Sequence, residues 1–569
     1  MSDIKTPHRI TPSRPRKTAH VCLSDGRIFQ GPVGAPLIEF MDAAYPEPEA
    51  AIVGALVDGQ LRELGYPVVR DCDVQPVDTY SADGLRIYQR SMSFIMIVAA
   101  RELFPEGRLY IDHSVTLGGF FCQVIGRPPF TEAELQAIAR RMGEIIAADE
   151  PILKERLPLQ EAIELFASQG YDDKVRLFSG RDEGAVTVYT LRGVRDYFYG
   201  HMLPRTGRLG AFSLEHYTPG FILRIQLRKH IYPLDSHLHY PKLMGVLREY
   251  GRWLGILGIE DVGSMNEAIE SGQAQRAVLV SEALHEKRIS EIAQAILARE
   301  RVRLVLIAGP SSSGKTTFAK RLAIQLMAAE RQPFPLGLDD YFVDRELTPR
   351  DERGEYDFES LGAVNVALFN EQLAALMAGQ RVQIPHFDFR EGKSVPGPEV
   401  QLTGDAILIV EGIHGLNPEL VYGIPEELVL RVYVSALTQL NLDHHNRIPT
   451  TDNRLLRRMV RDQRYRGISA TETMRRWRDV RRGEERNIFP YQENADVMFN
   501  SALVYELSVL KPLAEPLLLQ VPAEAPESVE ARRLLSFLRW FKPCEADLVP
   551  ENSLLREFIG GSVLRRFQW

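Results

Sequence analysis

Cysteine is scarce in this chain. There are four in 569 residues, Cys22, Cys72, Cys122 and Cys544, far apart and none in a CxxC pair. That spacing excludes a disulfide framework and a cysteine-built zinc site, and it points to buried thiols in a reducing compartment, with the cytoplasm the expected location. No apolar run is long enough to span a membrane. The start, Met1 to about Lys17, is rich in Pro and Arg and lacks the apolar centre of a signal peptide, so a disordered tail is expected over 1–17. Neither sign of charge dominates: 68 Lys and Arg face 76 Asp and Glu, a net charge of −8, with a pI near 6.0. A chain-wide nucleic-acid or membrane-binding role is thereby disfavoured. There is no internal repeat and no long low-complexity stretch. What remains is ordinary globular composition, 45% hydrophobic and 25% charged, in a chain too long for one core. Three or four domains are the natural expectation.

The most informative stretch is Gly309-Pro310-Ser311-Ser312-Ser313-Gly314-Lys315-Thr316, followed by Thr317. It has the form of a phosphate-binding P-loop, Gly-x4-Gly-Lys-Thr. Its flanks fit. Leu304 to Ala308 is a short apolar run that reads as a buried strand, and Phe318, Ala319, Leu322, Ala323 and Leu326 repeat at helical spacing. In such a loop the backbone N–H groups turn toward phosphate oxygens and the helix N-terminus adds positive potential. Lys315 is expected to reach the β- and γ-phosphates of ATP, and the Thr316 hydroxyl to sit on Mg²⁺.

A P-loop alone does not separate a kinase from a GTPase or a motor ATPase. Three further features bear on that choice. Leu336-Gly337-Leu338-Asp339-Asp340-Tyr341-Phe342 reads as a strand ending in two carboxylates, where a doubly wound sheet lines its ligand crevice. Asp339 is the candidate base, against a reading in which Asp339 or Asp340 only caps the next element. Ala406 to Val410 is an apolar run ending in Glu411, the form of a Walker-B strand, and Glu411 is expected to bind Mg²⁺ directly or through water. Arg454, Arg457, Arg458, Arg461, Arg464 and Arg466 form a basic cluster, the first four at helical spacing. A solvated basic face is the usual meaning of such a run. Here it competes with a lid that brings guanidinium charge to a transferring phosphoryl group. A second run, Arg475 to Arg486, reads equally as surface.

Taken in order, GPSSSGKTT, LDDYF, YDFESLGA, IPHFDF, VEGIH and RLLRRMVRD make residues 301–522 resemble the uridine kinase and phosphoribulokinase family of P-loop kinases. The resemblance implies ATP-dependent phosphoryl transfer to a primary hydroxyl of a nucleoside or sugar. Carried over by position, Asp339 matches the catalytic Asp, Asp357 the acid holding ribose hydroxyls, Glu411 the Mg²⁺-linked acid, and Arg458 and Arg461 the lid arginines. Tyr341 and Phe387 fall among the substrate-binding positions. The chain departs from true uridine kinases at Phe387, where they carry Tyr, and near Gly392, where they carry a base-reading His. Both changes remove polar groups that would read a pyrimidine edge.

The N-terminal half alternates strands and tight turns. Val21 to Phe29 reads as a hairpin around Asp25-Gly26, Pro36 to Met41 as a short helix, and Ile52 to Leu64 as a second hairpin around Asp58-Gly59. Ser91 to Leu103 reads as a helix, Arg108 to His113 and Gly119 to Val124 as strands, and Pro204 to Gly207 as a turn. Residues 18–77 resemble a TGS domain, the β-grasp module of threonyl-tRNA synthetases. Residues 78–234 resemble that enzyme's second additional domain, which removes wrongly attached serine from tRNA. Where the synthetase carries His-x3-His and Cys-x3-His, this chain has Arg90, Phe94, Phe198 and Met202, so editing is not expected and His113 and His201 read as structural. Residues 235–300 read as a helical connector. Residues 523–569 hold an apolar helix with Leu534, Leu535, Phe537, Leu538, Trp540 and Phe541, read as packing on the body of the protein.

The expected fold is therefore multidomain α/β: a TGS-like β-grasp module, an α+β synthetase-like domain, and a doubly wound parallel-sheet P-loop kinase domain with a helical C-terminal tail. The whole arrangement resembles a bacterial group of long nucleoside or uridine kinases. The expected function is phosphorylation of a nucleoside hydroxyl with ATP and Mg²⁺. A kinase for another alcohol, such as a sugar phosphate, and an ATP-switched RNA-linked regulator are the alternatives. The expected partner is a small hydroxyl-bearing substrate, with no membrane and no nucleic acid; homo-oligomerisation is left open.

Overall fold

The computed structural model describes residues 15–115, 119–181, 184–226, 240–402, 404–438 and 440–567. Most of the expected tail, and the expected boundary at 234, lie outside them. The chain divides into two compact units. One comprises residues up to Leu109, Gln123–Leu157 and Val186–Leu234; the other comprises Tyr110–Cys122, Pro158–Ala185 and Asp235–Trp569.

The first unit begins with a five-stranded sheet in the order Ile28–Pro32, Thr18–Leu23, Cys72–Asp78, Ile52–Val57, Gln60–Glu63. Thr18–Leu23 runs parallel to Cys72–Asp78 while the other neighbours are antiparallel. With the helix Leu37–Ala44, this is the mixed β-grasp arrangement expected from the sequence. The helix expected from Ser91 begins earlier and spans Ala82–Leu103, because the Ser81 side chain caps it by accepting the Gly84 N–H at 3.1 Å. The expected strands run Arg108–Val115 and Gly119–Ile125, and the Pro204 turn leads into a 3-10 turn at Thr206–Arg208.

The second unit is built on five parallel strands: β1 (Leu304–Ala308), β2 (Pro333–Gly337), β3 (Ile407–Glu411), β4 (Val429–Ser435) and β5 (Val497–Asn500), in the order β2-β3-β1-β4-β5. β1 is buried along its whole length, as a continuous apolar run in a parallel sheet must be. Helix α1 (Lys315–Ala328) follows β1 directly and buries Phe318, Ala319, Leu322, Ala323 and Leu326. Two further helices, α2 (Thr450–Arg466) and α3 (Ala470–Asn487), come between β4 and β5. The connector is helical over Pro241–Leu257, Val262–Glu270 and Ala274–Ala298. Near the C-terminal end of the chain, helix Ser528–Leu538 buries Leu534, Phe537 and Leu538 in the body of the unit. No helix among the described residues is long and apolar enough to cross a membrane.

Ahead of α2, the loop after β4 carries a buried polar knot. Asp443, fully buried, accepts from the equally buried Lys174 at 2.9 Å, from the backbone N–H groups of His445 and Asn446, and from the Asn446 amide. Asn441 donates to the carbonyls of Ile111 and Asp112, and Ile111 N–H donates to the His444 carbonyl at 2.8 Å.

Candidate active site

The loop between β1 and α1 has the strained form its sequence requires. Ser312 and Gly314 take positive φ, 58° and 86°. A Cβ on Gly309 would lie 1.9 Å from the Val434 carbonyl oxygen, so only glycine fits that turn. Lys315 Nζ folds back on the loop, donating to the carbonyls of Gly309 (2.9 Å) and Pro310 (3.2 Å). Thr316 Oγ1 donates to Glu411 Oε1 at 2.8 Å, tying the start of α1 to the end of β3. Burial, opposed by Lys315 and Thr316, pushes the Glu411 carboxyl up to about 7. Thr316 and Glu411 together offer adjacent hard oxygen donors, a set that fits Mg²⁺.

Asp339 lies just past the end of β2, on the 3-10 turn Leu338–Tyr341. Asp339 is exposed at its surface, yet crowding by neighbouring atoms costs its carboxylate part of its solvation and raises the carboxyl above the ordinary aspartate value. The neighbouring Asp340 adds to this, while Lys315 and Arg466 pull the other way. Asp340 is differently engaged, accepting from His386 Nδ1 at 2.9 Å. Glu359, which the sequence did not single out, is also raised, to about 7. Desolvation is the main cause and Glu484 the next, with Arg458 and Lys315 opposing. Asp357 is half-buried, with Oδ1 accepting the Glu359 N–H at 3.2 Å.

The arginine cluster divides in two. Arg458 Nη1 donates to Ser311 Oγ at 2.7 Å and so stands by the loop, while Arg461 pairs with Asp462 on its own helix at 2.9 Å. Arg454 and Arg457 depart from the expected lid. They are 1% and 0% exposed and serve as braces beneath the loop. Arg454 makes a bidentate pair with Glu484 (2.5 and 2.7 Å) and donates to the Ser311 carbonyl, while Glu484 accepts the Ser311 N–H at 3.0 Å. Arg457 pairs with Glu506 and donates to the carbonyl of Ser501 and, at 3.4 Å, to that of Ser312. Two buried carboxylates of α3 and the chain after β5 thus claim these arginines. In the second run, Arg475, Arg476, Arg481, Arg482 and Arg486 are held in ion pairs with acids.

Two expected substrate-facing residues are turned inward. Tyr341 is 1% exposed, its ring edge-on to Phe369 and its hydroxyl donating to Gln372 at 2.9 Å, because the 3-10 turn directs it into the core under the sheet. Phe387 is 3% exposed and packs edge-on against Phe342 and Phe389. Of this trio Phe389 is the most exposed, at 60%, while Phe342 is partly buried.

The synthetase-like positions of the first unit are packed. The rings of Phe94 and Phe198 lie 5.2 Å apart, Met202 is buried, and Arg90 donates to the His201 carbonyl at 2.6 Å. Glu63 sits beside them, accepting from Tyr189 Oη, the Met202 N–H and Lys154. Burial opposes ionisation there, yet His201 and Lys154 hold the Glu63 carboxyl down to about 2.

Residues 304–508 match the model of the Phosphoribulokinase / Uridine kinase family. The N-terminal region is similar to threonine–tRNA ligases. It is 32% identical over 196 residues to that of Symbiobacterium thermophilum and 31% identical over 198 residues to that of Acidovorax sp. (strain JS42), each match covering 34% of this chain. The chain spans about 30% of the length of these curated relatives. Among solved structures, a possible uridine kinase from Bacillus stearothermophilus is 21% identical, covering 38% of this chain and 98% of its own, with a TM-score of 0.25. D-glycerate 3-kinase from Cryptococcus neoformans is 15% identical, covering 44% and 87%, with a TM-score of 0.20. The second unit thus holds a segment similar to the Phosphoribulokinase / Uridine kinase family, and the N-terminal region ahead of it is similar to threonine–tRNA ligases.

Proposed function

We propose that this protein transfers a phosphoryl group from ATP to a primary hydroxyl of a nucleoside. The observation that carries the proposal is the convergence of Asp339, with its raised carboxyl, Lys315 and the Thr316–Glu411 pair at the C-terminal edge of one parallel sheet. Residues near a strand end, a glycine loop and a helix N-terminus are what phosphoryl transfer needs, since its catalysis is mostly positioning and charge stabilisation. The loop amides and Lys315, released from the Gly309 and Pro310 carbonyls, hold the triphosphate. Asp339 orients the acceptor hydroxyl and accepts its proton, a task suited to a carboxylate of raised basicity. Arg458 and Arg461 bring positive charge to the transferring group. Thr316 and Glu411 would hold Mg²⁺, which would supply charge neutralisation for the phosphates. Asp357 is assigned to the acceptor's vicinal hydroxyls.

A second reading, a kinase for another small alcohol such as a sugar phosphate, is favoured by one observation. The Phe342, Phe387 and Phe389 rings offer no polar edge with which to read a pyrimidine. For the N-terminal half the proposal is ligand sensing or assembly without hydrolytic editing, supported by the Phe94–Phe198 contact at the former ligand positions.

The test is Mg²⁺-ATP consumption against a panel of nucleosides, sugars and sugar phosphates, with Asp339→Asn as the control. Turnover that requires a nucleoside and vanishes in the control supports the first reading. Turnover that requires only a sugar phosphate moves the assignment to the second. ATP bound without any acceptor-dependent turnover refutes the nucleoside reading and moves the assignment to an alcohol outside the panel or to an ATP-switched regulator.

A further inference from the structure

The residues after helix Ser528–Leu538 return to the phosphate loop. Ser553, fully buried, donates from Oγ to Glu282 of the connector helix, which also accepts from Tyr505 Oη. Leu554 then lies directly on the loop. A Cβ on Gly314 would sit 2.3 Å from a Leu554 methyl carbon. One turn later, in Arg556–Ile559, Glu557 Oε2 accepts from Thr317 twice, from the backbone N–H at 3.2 Å and from Oγ1 at 2.7 Å. Phe558 lies 5.0 Å under the Arg457 guanidinium, and Lys320 donates to the Leu564 carbonyl at 2.8 Å. The segment is therefore seated on α1 and α2 together.

Thr317 is the third residue of α1, and its N–H is one of the helix's N-terminal donors that have no partner within the helix. In a P-loop these donors, with the positive end of the helix, are what a nucleotide phosphate meets. A carboxylate already holds this one. Two anions cannot share a single N–H and the hydroxyl beside it. The leucine over Gly314 closes the same side of the loop with apolar surface, where a phosphate would lose its solvation.

We propose that Ser553–Gly561 is a displaceable plug of the nucleotide site, with the Glu557 carboxylate standing where a nucleotide phosphate would be held, so that ATP and the seated segment exclude one another. The proposal rests on the P-loop reading above. ATP binding must then unseat the segment, and whatever holds the segment in place weakens ATP binding. Glu557 is bonded to Thr317, and its charge also adds to what raises the Glu411 carboxyl, so the plug is read out as ATP affinity rather than as turnover. The anchor at Ser553, bonded to the Glu282 that also takes the Tyr505 hydroxyl, gives the segment a fixed point about which to release.

The test uses the full-length protein, with ATP affinity measured by calorimetry and hydrogen exchange followed over 553–561. For Glu557→Gln we expect ATP affinity to rise about tenfold, the scale of one charge-assisted hydrogen bond. Leu554→Ala, which leaves the carboxylate intact, should act in the same direction and guards against a folding defect in the first variant. In the wild type, ATP should speed exchange over 553–561. Unchanged or weaker ATP binding in both variants, or slower exchange over the segment with ATP, overturns the plug while leaving the P-loop reading standing; the latter would make the segment a wall of the site. If neither wild type nor variant binds ATP, the nucleotide reading fails and the plug with it.

Discussion

Glu484 is the residue on which the geometry of the phosphate loop most depends. Its carboxylate is 1% exposed, shared between both terminal nitrogens of Arg454, itself 1% exposed, and the backbone N–H of Ser311. Arg481 adds a contact at 2.9 Å. Glu484→Ala leaves a buried guanidinium without its anion and a loop N–H without its acceptor. Breaking one side of such a pair costs about 3–5 kcal/mol. At roughly 2 °C per kcal/mol for a unit of this size, melting should fall by about 6–10 °C. Arg454→Met should cost a similar amount, because Glu484 is then the stranded charge. The double variant Arg454→Met with Glu484→Leu should be much less destabilised than the sum of the singles, since well-packed apolar replacements of a buried pair are close to neutral. ATP affinity should not recover in the double variant, because the Ser311 N–H and carbonyl have lost the groups that held them. Burial works against the Glu484 charge, but Arg454 and then Arg481 outweigh it and hold the carboxyl below its ordinary 4.5. Stability from a lowered carboxyl is fully present above the unfolded value and is lost as pH falls through the folded one. The gap between wild type and Glu484→Ala should thus be flat from about pH 6 to 8 and close only below about 4.5. Thermal unfolding across pH, with the four-protein cycle, makes the measurement. Single variants that each lose under about 1 kcal/mol, or a double variant as unstable as their sum, would refute the brace.

Three other outcomes follow from the site. Asp339→Asn should lower kcat by about 10²–10⁴, the range for a positioned base, with ATP affinity by calorimetry nearly unchanged; retention of most of the rate would remove Asp339 from that role. Lys315→Ala should weaken ATP binding about tenfold or more and abolish turnover, and unchanged affinity would count against the phosphate assignment. Glu359→Gln tests the raised carboxyl near 7. A raised group favours the fold below its unfolded value of 4.5 and loses that advantage as pH rises through about 7. The variant should therefore be more stable than wild type at pH 8, by up to about 3 kcal/mol without nucleotide, and about equally stable near pH 4.5; an equal difference at both pH values would refute the assignment.

The parts of the site that sequence made legible are those whose chemistry is local. The P-loop announces itself because glycines, lysine and threonine act within eight residues, between a strand and a helix that each carry their own periodicity. Asp339 and Glu411 were legible as acids at the ends of apolar runs. The braces were not. Arg454 finds Glu484 thirty residues on, and Glu506 lies further still from Arg457, so only folding brings them together. A row of arginines reads the same whether it faces water, phosphate or buried carboxylates. Tyr341 was carried over by position from the family resemblance, and position alone does not say that the 3-10 turn after the strand directs its ring into the core. Glu557 could have drawn attention only through the apolar, glycine-bearing Leu554–Gly561 segment around it. In the first half, nothing in the residues signals that Tyr110–Cys122 and Pro158–Ala185 belong to the second compact unit.

That last division bears on how the protein could be taken apart, in the laboratory or by gene rearrangement. A cut near residue 234 does not release the second unit whole. It removes Lys174, and so leaves Asp443 buried without its cation just ahead of the helix whose arginines brace the phosphate loop. It also removes the backbone carbonyls of Ile111 and Asp112 that receive Asn441. Loss of one member of a fully buried ion pair is a penalty of about 3–5 kcal/mol, comparable to the whole stability of a marginal domain. The fusion is therefore self-locking. The second compact unit holds segments from the N-terminal half within it, and a lineage that discarded that half would first have to replace Lys174 and the carbonyls of Ile111 and Asp112.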